Sequence, residues 1–215
     1  MMMRIELRNV TPEYIDKEKW QTSEVWEKTI TIPKGEHLHI VAPSGTGKTS
    51  LIHFIYGLRK DYNGSVLYDD TDIKNLSTES FSAYRQNKIS IIFQDLRLFE
   101  NETVKENIEI KRILDPYHKP QAIGEMAERL GIKNKLNQQV KKCSYGEQQR
   151  VAIIRALMQP FDFLLLDETY SHLDEDNRKK GMELIYEECE KRNAAMIFAD
   201  LKPLDFFQNE KIIYL

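Results

Sequence analysis

The chain has 215 residues, enough for one domain, or a core with a subdomain, around a substantial apolar interior. Its 31 Lys and Arg against 34 Asp and Glu leave a formal net charge of -3, which argues against nucleic acid as the main partner. Cys143 and Cys189 show neither metal-ligand spacing nor a disulfide framework, which favours a reducing cytoplasm. The N-terminus lacks a signal-peptide pattern, and no apolar run approaches the roughly 20 residues that span a bilayer, so we expect any membrane role to come through a partner.

The residue pattern of the N-terminal third predicts strands followed by a loop and a helix. Apolar and polar residues alternate around Ile5 and Leu7 and again over Trp26–Ile32, as in half-buried antiparallel strands. His37–Ala42 is typical of a buried strand, and Ser50–Ile55 of a helix. The glycines between them complete a strand, glycine-rich loop and helix.

The rest of the chain continues this alternation. Short apolar runs predict strands, and apolar residues at helical spacing predict amphipathic helices. The predicted elements are a strand at Ser65–Tyr68, a strand at Ile89–Phe93, helices at Thr103–Ile110 and Gln121–Leu130, a strand at Phe161–Leu166, a helix at Glu175–Arg192 and a strand at Ala195–Ala199. Strands that alternate with helices imply a parallel sheet covered on both faces.

Residues 42–49 match the nucleotide-binding P-loop at every defining position except the first, where alanine replaces glycine. Gly45 and Gly47 let backbone N–H groups surround phosphate oxygens, and Lys48 adds a charge near the terminal phosphates. The Thr49 hydroxyl is a predicted Mg²⁺ ligand. The predicted nucleotide-binding residues here are Ser44, Gly45, Thr46, Gly47, Lys48, Thr49 and Ser50. The alternative, a glycine-rich turn with an incidental lysine, is disfavoured by the strand, loop and helix context.

Asp167 and Glu168 end a compact apolar run, at the edge where a parallel sheet presents its ligand crevice. Asp167 is predicted to hold Mg²⁺ through water. Glu168 points differently along an extended chain and is the predicted general base for an attacking water. A strand that merely ends in solvated acids is common alone but improbable beside a P-loop.

Residues 143–157 resemble the signature segment of ABC ATPases, usually Leu-Ser-Gly-Gly-Gln followed by a glutamine-rich, basic helix start. Phe93–Asp95 resembles the Q-loop of that family, and Ser171–Asp174 resembles its D-loop. The resemblance extends over essentially the whole chain. The stretch Tyr84–Ile110 is most similar to the lipoprotein-release, macrolide-export and cell-division branch.

This resemblance implies an α/β fold: a P-loop NTPase (RecA-like) core with an N-terminal antiparallel β-subdomain and an inserted α-helical subdomain. The expected division is a core of residues 1–94 and 158–215 and a helical subdomain of residues 95–157. The implied function is an ATP-binding and ATP-hydrolysing subunit that uses Mg²⁺ and drives separate transmembrane permease subunits. Its implied location is cytoplasmic, peripheral on the inner face of the cell membrane.

The family also implies two subunits that face head to tail, with each ATP between one P-loop and the signature of the other. The signature residues Ser144, Tyr145, Gly146 and Glu147 would then clamp the γ-phosphate of the partner's ATP from a second helix start. Gln94 would sense the γ-phosphate and Mg²⁺, with a catalytic and a metal-binding role. Asp174 would communicate across the dimer. The partner is either an identical copy or another ABC ATPase.

Tyr14 is the predicted adenine-stacking aromatic because it follows the first strand. Trp20 and Trp26 are competitors, although Trp26 is assigned to the core because it falls on an alternating strand. The remaining histidines considered show no ligand-like arrangement and are predicted to be structural or surface residues: His37, His39, His53 and His118.

The chain departs from the family pattern at its catalytic end. Ala199 stands where the family normally carries a histidine, which predicts slow hydrolysis with ATP binding preserved; His172 is a conceivable substitute. Tyr145 replaces the first signature glycine, which either weakens the clamp or is a tolerated variant. The changes at Cys143 and Ala42 are interpreted as tolerated.

Two functions compete on this reading. One is a transport ATPase, and the other is a non-transport ABC ATPase that acts as an ATP-dependent dimerisation switch or scaffold. A third possibility, the degenerate half of a heterodimeric transporter, also stays open, because a partner with an intact histidine and signature would explain how these substitutions persist.

Overall fold

The computed structural model describes residues 2–14, 22–168, 174–202 and 211–215. Three strands come first along the chain, and helices are interspersed with strands after them. The strands are β1 (Arg4–Pro12), β2 (Thr29–Pro33), β3 (His37–Val41), β4 (Tyr62–Tyr68), β5 (Thr71–Asp72), β6 (Ile89–Ile92), β7 (Phe163–Asp167), β8 (Ala195–Asp200) and β9 (Lys211–Tyr214). The helices are α1 (Lys48–Ile55), α2 (Thr78–Asn87), α3 (Val104–Leu114), α4 (Gln121–Arg129), α5 (Tyr145–Leu157) and α6 (Glu175–Arg192).

The strands form two sheets of different kinds. The first is antiparallel, with the order β2-β1-β4-β5, and the second is parallel, with the order β6-β7-β8-β3-β9. In the parallel sheet β8 lies between β7 and β3, and Ala199 pairs with Asp167 on one side and with Ile40 on the other. The carboxyl ends of β3, β7 and β8 therefore meet at one edge, and the predicted α/β fold class is confirmed.

Both faces of the parallel sheet are buried, which explains the continuous apolar runs of its strands. On β7, Phe163 and Leu165 pack towards the antiparallel sheet and α1, whereas Leu164 and Leu166 pack towards α3, α4, α5 and α6. The two apolar clusters thus follow the period of two along a strand. This sandwich holds the carboxyl edge of the sheet between α1 on one side and the helical part on the other.

The predicted strand at Trp26–Ile32 is wrong at its start. Trp26 lies in a turn before β2, and its main-chain N–H donates to Ser23 Oγ at 2.9 Å. Glu27 has φ 59°, a left-handed conformation that interrupts an extended chain. Trp26 is nevertheless 2% exposed, so the prediction that it belongs to the core is correct. The strand on which that prediction was based does not include Trp26.

Among the helices of residues 2–14, 22–168, 174–202 and 211–215, none combines the length and the apolar character that a bilayer crossing needs.

A buried acid joins the loop between α3 and α4 to the last turn of α6. Glu188 is 1% exposed and contacts His118 Nε2 at 2.7 Å, Lys191 Nζ at 2.8 Å and the Arg192 guanidinium. Arg192 also donates to the Leu157 carbonyl at 2.9 Å. Burial alone would raise the pKa of Glu188, but hydrogen bonds from His118 and Lys191 and the charge of Arg192 hold that pKa well below its usual range.

We expect Glu188→Gln to lower the free energy of unfolding by about 3 kcal/mol, because it leaves the buried Arg192 charge without its carboxylate. Glu187→Gln is the matched control, since Glu187 pairs with Arg129 at the surface, where an ion pair contributes about 1 kcal/mol or less. Urea unfolding at neutral pH measures both. Equal losses in the two variants would show that the contacts of Glu188 stabilise the fold no more than a surface ion pair does.

Candidate active site

The loop between β3 and α1 takes a backbone conformation that requires glycine. Gly45 has φ 83° and Gly47 has φ 105°, both in the left-handed region that strains other residues. Gly47 is the N-cap of α1, and the first turn of that helix contains no acid. The positive end of α1 and the N–H groups of its first turn therefore face a space suited to phosphate.

Lys48 is buried in this loop with its amino group fully engaged. Its Nζ donates to the Ala42 carbonyl at 2.8 Å and to the Pro43 carbonyl at 2.9 Å. The same Nζ lies 3.1 Å from Glu168 Oε1. A carboxylate thus neutralises the one positive charge that the loop offers to phosphate, so an incoming phosphate must compete with Glu168.

The two acids at the end of β7 occupy different environments. Asp167 is 1% exposed and its Oδ1 accepts a hydrogen bond from Thr49 Oγ1 at 3.0 Å. Burial raises the pKa of Asp167 to about 6, against the lowering effect of the Thr49 hydrogen bond and with a further rise from the negative charge of Glu168. Glu168 has φ 45°, uncommon outside glycine, and its N–H donates to the Ala199 carbonyl at 3.2 Å.

Two neighbouring cavities open at this edge. The nucleotide cavity, about 420 Å³, is lined by Tyr14, Ser44, Gly45, Gly47, Lys48, Thr49, Ser50, Gln94 and Glu168. The metal-side cavity, about 410 Å³, is lined by Thr49, His53, Gln94, Asp95, Arg97, Tyr145 and Asp167. Thr49 and Gln94 belong to both. Thr46 does not line either cavity, and its hydroxyl donates to the Pro43 carbonyl at 2.9 Å.

Tyr14 stands at the mouth of the nucleotide cavity with its ring 48% exposed. Its hydroxyl bonds Ser50 Oγ, and the Arg59 guanidinium lies 4.4 Å from the ring centroid, a contact that the sequence pattern did not indicate. One ring face of Tyr14 is therefore occupied by Arg59. Trp26 is buried away from solvent, and Trp20 lies outside the described residues.

His53 lies beside the candidate site, a position that the sequence analysis did not anticipate. It lies four residues after Thr49 on α1, so the two side chains share a helix face. His53 Nε2 is 3.7 Å from Asp167 Oδ2, and the ring lines the metal-side cavity. Burial lowers the pKa of His53, as do the charges of Arg97 and Arg59. The spacing of four residues from a P-loop threonine was the available signal.

The donor set at this edge fits Mg²⁺. Thr49 and Asp167 offer a hydroxyl and a carboxylate oxygen within hydrogen-bond distance of each other, and Gln94 lines the same space. Mg²⁺ commonly takes one or two such protein ligands and completes its shell with water and phosphate. Within the described part of the chain no group of three or more His, Cys, Asp or Glu residues could form a metal cage.

We expect Mg²⁺-dependent nucleotide binding to weaken as the pH falls through about 6. A proton on Asp167 must leave before the metal binds, so apparent Mg²⁺ affinity should fall by up to about tenfold per pH unit below that pKa and level off above it. Mg²⁺ titration between about pH 5 and pH 8 measures this. Nucleotide phosphate also gains a proton in this range, so Asp167→Asn is the control that retains only the nucleotide's own dependence. Identical pH profiles for the two proteins would contradict the expectation.

The residues of the predicted signature lie at the start of α5. Ser144 is the N-cap and accepts from the Glu147 N–H at 3.3 Å, and Glu147 Oε2 accepts from the Ser144 N–H at 2.8 Å. Ser144, Gly146 and Glu147 line neither cavity. Tyr145 does line the metal-side cavity, and its hydroxyl donates to the Gln94 carbonyl at 3.0 Å.

The remaining predicted residues lie towards the carboxyl ends of β7 and β8. Asp174 is the N-cap of α6 and accepts from the Asn177 N–H at 2.9 Å. Hydrogen bonds from Asn177 lower the pKa of Asp174. Ala199 is buried on β8 next to Asp167 and brings no imidazole to the cavity. His172 and the rest of the predicted D-loop before Asp174 lie outside the described residues.

Comparisons with known proteins agree with this geometry. A family model described as ABC transporter matches residues 27–171. The lipoprotein-releasing system ATP-binding protein LolD of Buchnera aphidicola is 33% identical over 162 residues, which are 74% of this chain and 71% of LolD. The macrolide export ATP-binding/permease protein MacB of Nitrosomonas europaea is 32% identical over 186 residues, 85% of this chain but only 28% of MacB.

Solved structures show the same fold. The dimeric post-hydrolysis state of the ATP-binding cassette MJ0796 bound to ADP and Pi superimposes with a TM-score of 0.79 at 27% identity, over 98% of this chain and 94% of that chain. The predicted branch is represented among the relatives by LolD and MacB. The P-loop, the signature and the two acids in this order, together with these matches, show that the chain belongs to the ABC transporter family, as one of its ATP-binding ATPase domains.

Proposed function

We propose that the chain is the ATP-binding and ATP-hydrolysing subunit of an ABC transporter, which dimerises around Mg-ATP and drives separate transmembrane permease subunits. In this role Lys48 and the N–H groups of residues 44–50 hold the phosphates. Thr49, Asp167 and Gln94 hold Mg²⁺, which supplies charge neutralisation at the terminal phosphates. Glu168 accepts a proton from the attacking water, and Tyr14 stacks on adenine through the ring face opposite Arg59.

The proposal of a dimer rests on one observation: the signature serine lies outside the nucleotide cavity of its own chain. Ser144 caps α5 at a helix start that offers its own N–H groups, but neither Ser144 nor Gly146 lines the cavity that contains Lys48. A single chain therefore holds one side of an ATP site and presents the other side to a second molecule. The relative MJ0796 is dimeric with ADP and Pi bound, which supports this arrangement.

The permease assignment rests on the relatives and on the surface of the helical part, which we assign to residues 95–157 against a core of 1–94 and 158–215. LolD belongs to a lipoprotein-releasing system, and MacB is an ATP-binding/permease protein. Exposed apolar side chains on this part give a membrane subunit a surface to dock on: Phe99, Ile113, Leu114 and Tyr117. The proposed location is therefore the cytoplasmic face of a membrane.

The test is nucleotide-dependent dimerisation of the purified chain. Light scattering after size exclusion should give a dimer mass for Glu168→Gln with Mg-ATP and a monomer mass with Mg-ADP, and Ser144→Arg added to Glu168→Gln should abolish the dimer. Co-purification from detergent-solubilised membranes then identifies the permease. Binding of Mg-ATP with no dimer, either alone or with a second ABC ATPase from the same cell, would rule out the two-sided site.

Ala199 is expected to make hydrolysis slow, because its methyl group cannot bond the γ-phosphate or orient the water as an imidazole at this position could. We expect Ala199→His to raise the steady-state ATPase rate by about 10-fold or more, with little change in ATP affinity. Ala199→Phe is the control for ring volume, since it adds a ring without the nitrogens. No gain from histidine would show that Ala199 is not the cause of a slow rate.

A further inference from the structure

Helix α5 holds the loop after β6 through several main-chain carbonyls. The Arg155 guanidinium donates to the Arg97 carbonyl at 2.7 Å and also to the Leu96 carbonyl. Leu96 and Arg97 have φ 57° and 47°, so this loop takes a conformation that side-chain-bearing residues rarely adopt without outside support. At the other end of α5, Tyr145 donates to the Gln94 carbonyl. Both ends of α5 therefore form hydrogen bonds to this loop.

Tyr145 contacts Gln94, the proposed Mg²⁺ ligand. Its ring is 42% exposed and forms part of the wall of the metal-side cavity, together with Thr49 and Asp167. Gln94 lines both cavities, and its main chain is the acceptor for the Tyr145 hydroxyl. A shift at the start of α5 must move or release this carbonyl, because the hydrogen bond between the two residues, 3.0 Å long, is lost if they separate.

We propose that Tyr145 is a positioning residue for Gln94, which ties the signature helix of a subunit to the metal side of that subunit's own ATP site. This rests on the proposed function, in which Ser144 beside Tyr145 engages the ATP of the partner subunit. Binding of that ATP fixes the position of the start of α5. The hydrogen bond from the Tyr145 hydroxyl then fixes the Gln94 main chain, which would place the Gln94 side chain towards Mg²⁺. The two sites of the dimer are coupled through residue 145, a position that a glycine could not use in this way.

The test is Tyr145→Phe, which removes only the hydroxyl, beside Tyr145→Gly, which removes the ring. Both variants should require about 3- to 10-fold more Mg²⁺ for half-maximal ATP binding, as expected for loss of one hydrogen bond. ATPase activity should also respond to ATP with a lower Hill coefficient than the parent protein. Tyr214→Phe is the matched control, because Tyr214 is 52% exposed and lies on β9.

Amide exchange in the nucleotide-free protein gives a readout independent of turnover. The amides of residues 94–97 should exchange faster in Tyr145→Phe than in the parent protein, with no change in the urea midpoint. Unchanged Mg²⁺ dependence in Tyr145→Phe, or a gain of activity in Tyr145→Gly alone, would overturn the positioning role and show the ring to be an obstacle in the clamp. A parent protein that binds no Mg-ATP would overturn the proposed function itself, and this inference with it.

Discussion

Replacing Lys48 with alanine is expected to weaken Mg-ATP binding by about 100-fold or more. Charge-assisted hydrogen bonds contribute about 1.5 to 3 kcal/mol each, and a buried ammonium at the mouth of α1 can make more than one with a phosphate. The amino group is shared between Glu168 and two carbonyls, so part of this energy is offset by contacts that ATP must replace. Fluorescent ATP titration measures the affinity.

The control for Lys48→Ala must separate binding from folding, because Lys48 is only 4% exposed and holds the Ala42 and Pro43 carbonyls. Urea unfolding of the same variant gives that comparison, and Lys180→Ala on the exposed face of α6 tests for a general effect of lost charge. ATP affinity within threefold of the parent protein would show that the loop does not hold phosphate through this lysine.

Elements with strong local signals were predictable from the sequence. The helix predicted at Glu175–Arg192 has the same bounds in the structure, because residues that favour the start and the end of a helix lie at its two ends. Asp174 caps its first turn, acids follow at Glu175 and Asp176, and Lys191 and Arg192 close the last turn before Asn193 in the left-handed conformation. The strands β7 and β8 were visible for a similar reason, since burial on both faces demands an unbroken apolar run.

Elements that depend on distant partners were not predictable. Helix α2 has Phe81 as its only buried residue, so no apolar periodicity marks it. Strand β9 is four residues long with one buried side chain, Ile213, and it exists because β3 offers an edge. The turn at Trp26 follows from the left-handed backbone of Glu27, which alternation of apolar residues cannot reveal.

The candidate site shows the same division. The P-loop, the signature and the paired acids can be identified in this order from the sequence, so phosphate and Mg²⁺ binding could be predicted from Lys48 and Asp167. The contact between Lys48 and Glu168 and the bond from Tyr145 to Gln94 join residues far apart in sequence. Such contacts arise from the order of strands in the sheet and from the packing of α5, and no local pattern encodes them.

Glu168→Gln is expected to lower the ATPase rate by about 10² to 10⁴ while ATP binding is retained or strengthened. The loss follows from removing the general base, since a neutral amide does not accept a proton from water near neutral pH. The gain follows from the position of the Glu168 carboxylate, which lies 3.1 Å from Lys48 Nζ and would compete with phosphate for it. Glutamine keeps the size of the side chain but withdraws this competing charge.

Single-turnover hydrolysis and ATP titration measure the two effects of Glu168→Gln separately. The control is Glu128→Gln, which removes an exposed carboxylate that pairs with Lys133 on the helical part. If Glu168→Gln hydrolysed ATP within threefold of the parent protein, another group would have to act as the base. If it bound ATP more weakly, the pairing of Glu168 with Lys48 would help to hold the loop in the conformation that binds ATP. It would then not be a contact that ATP displaces.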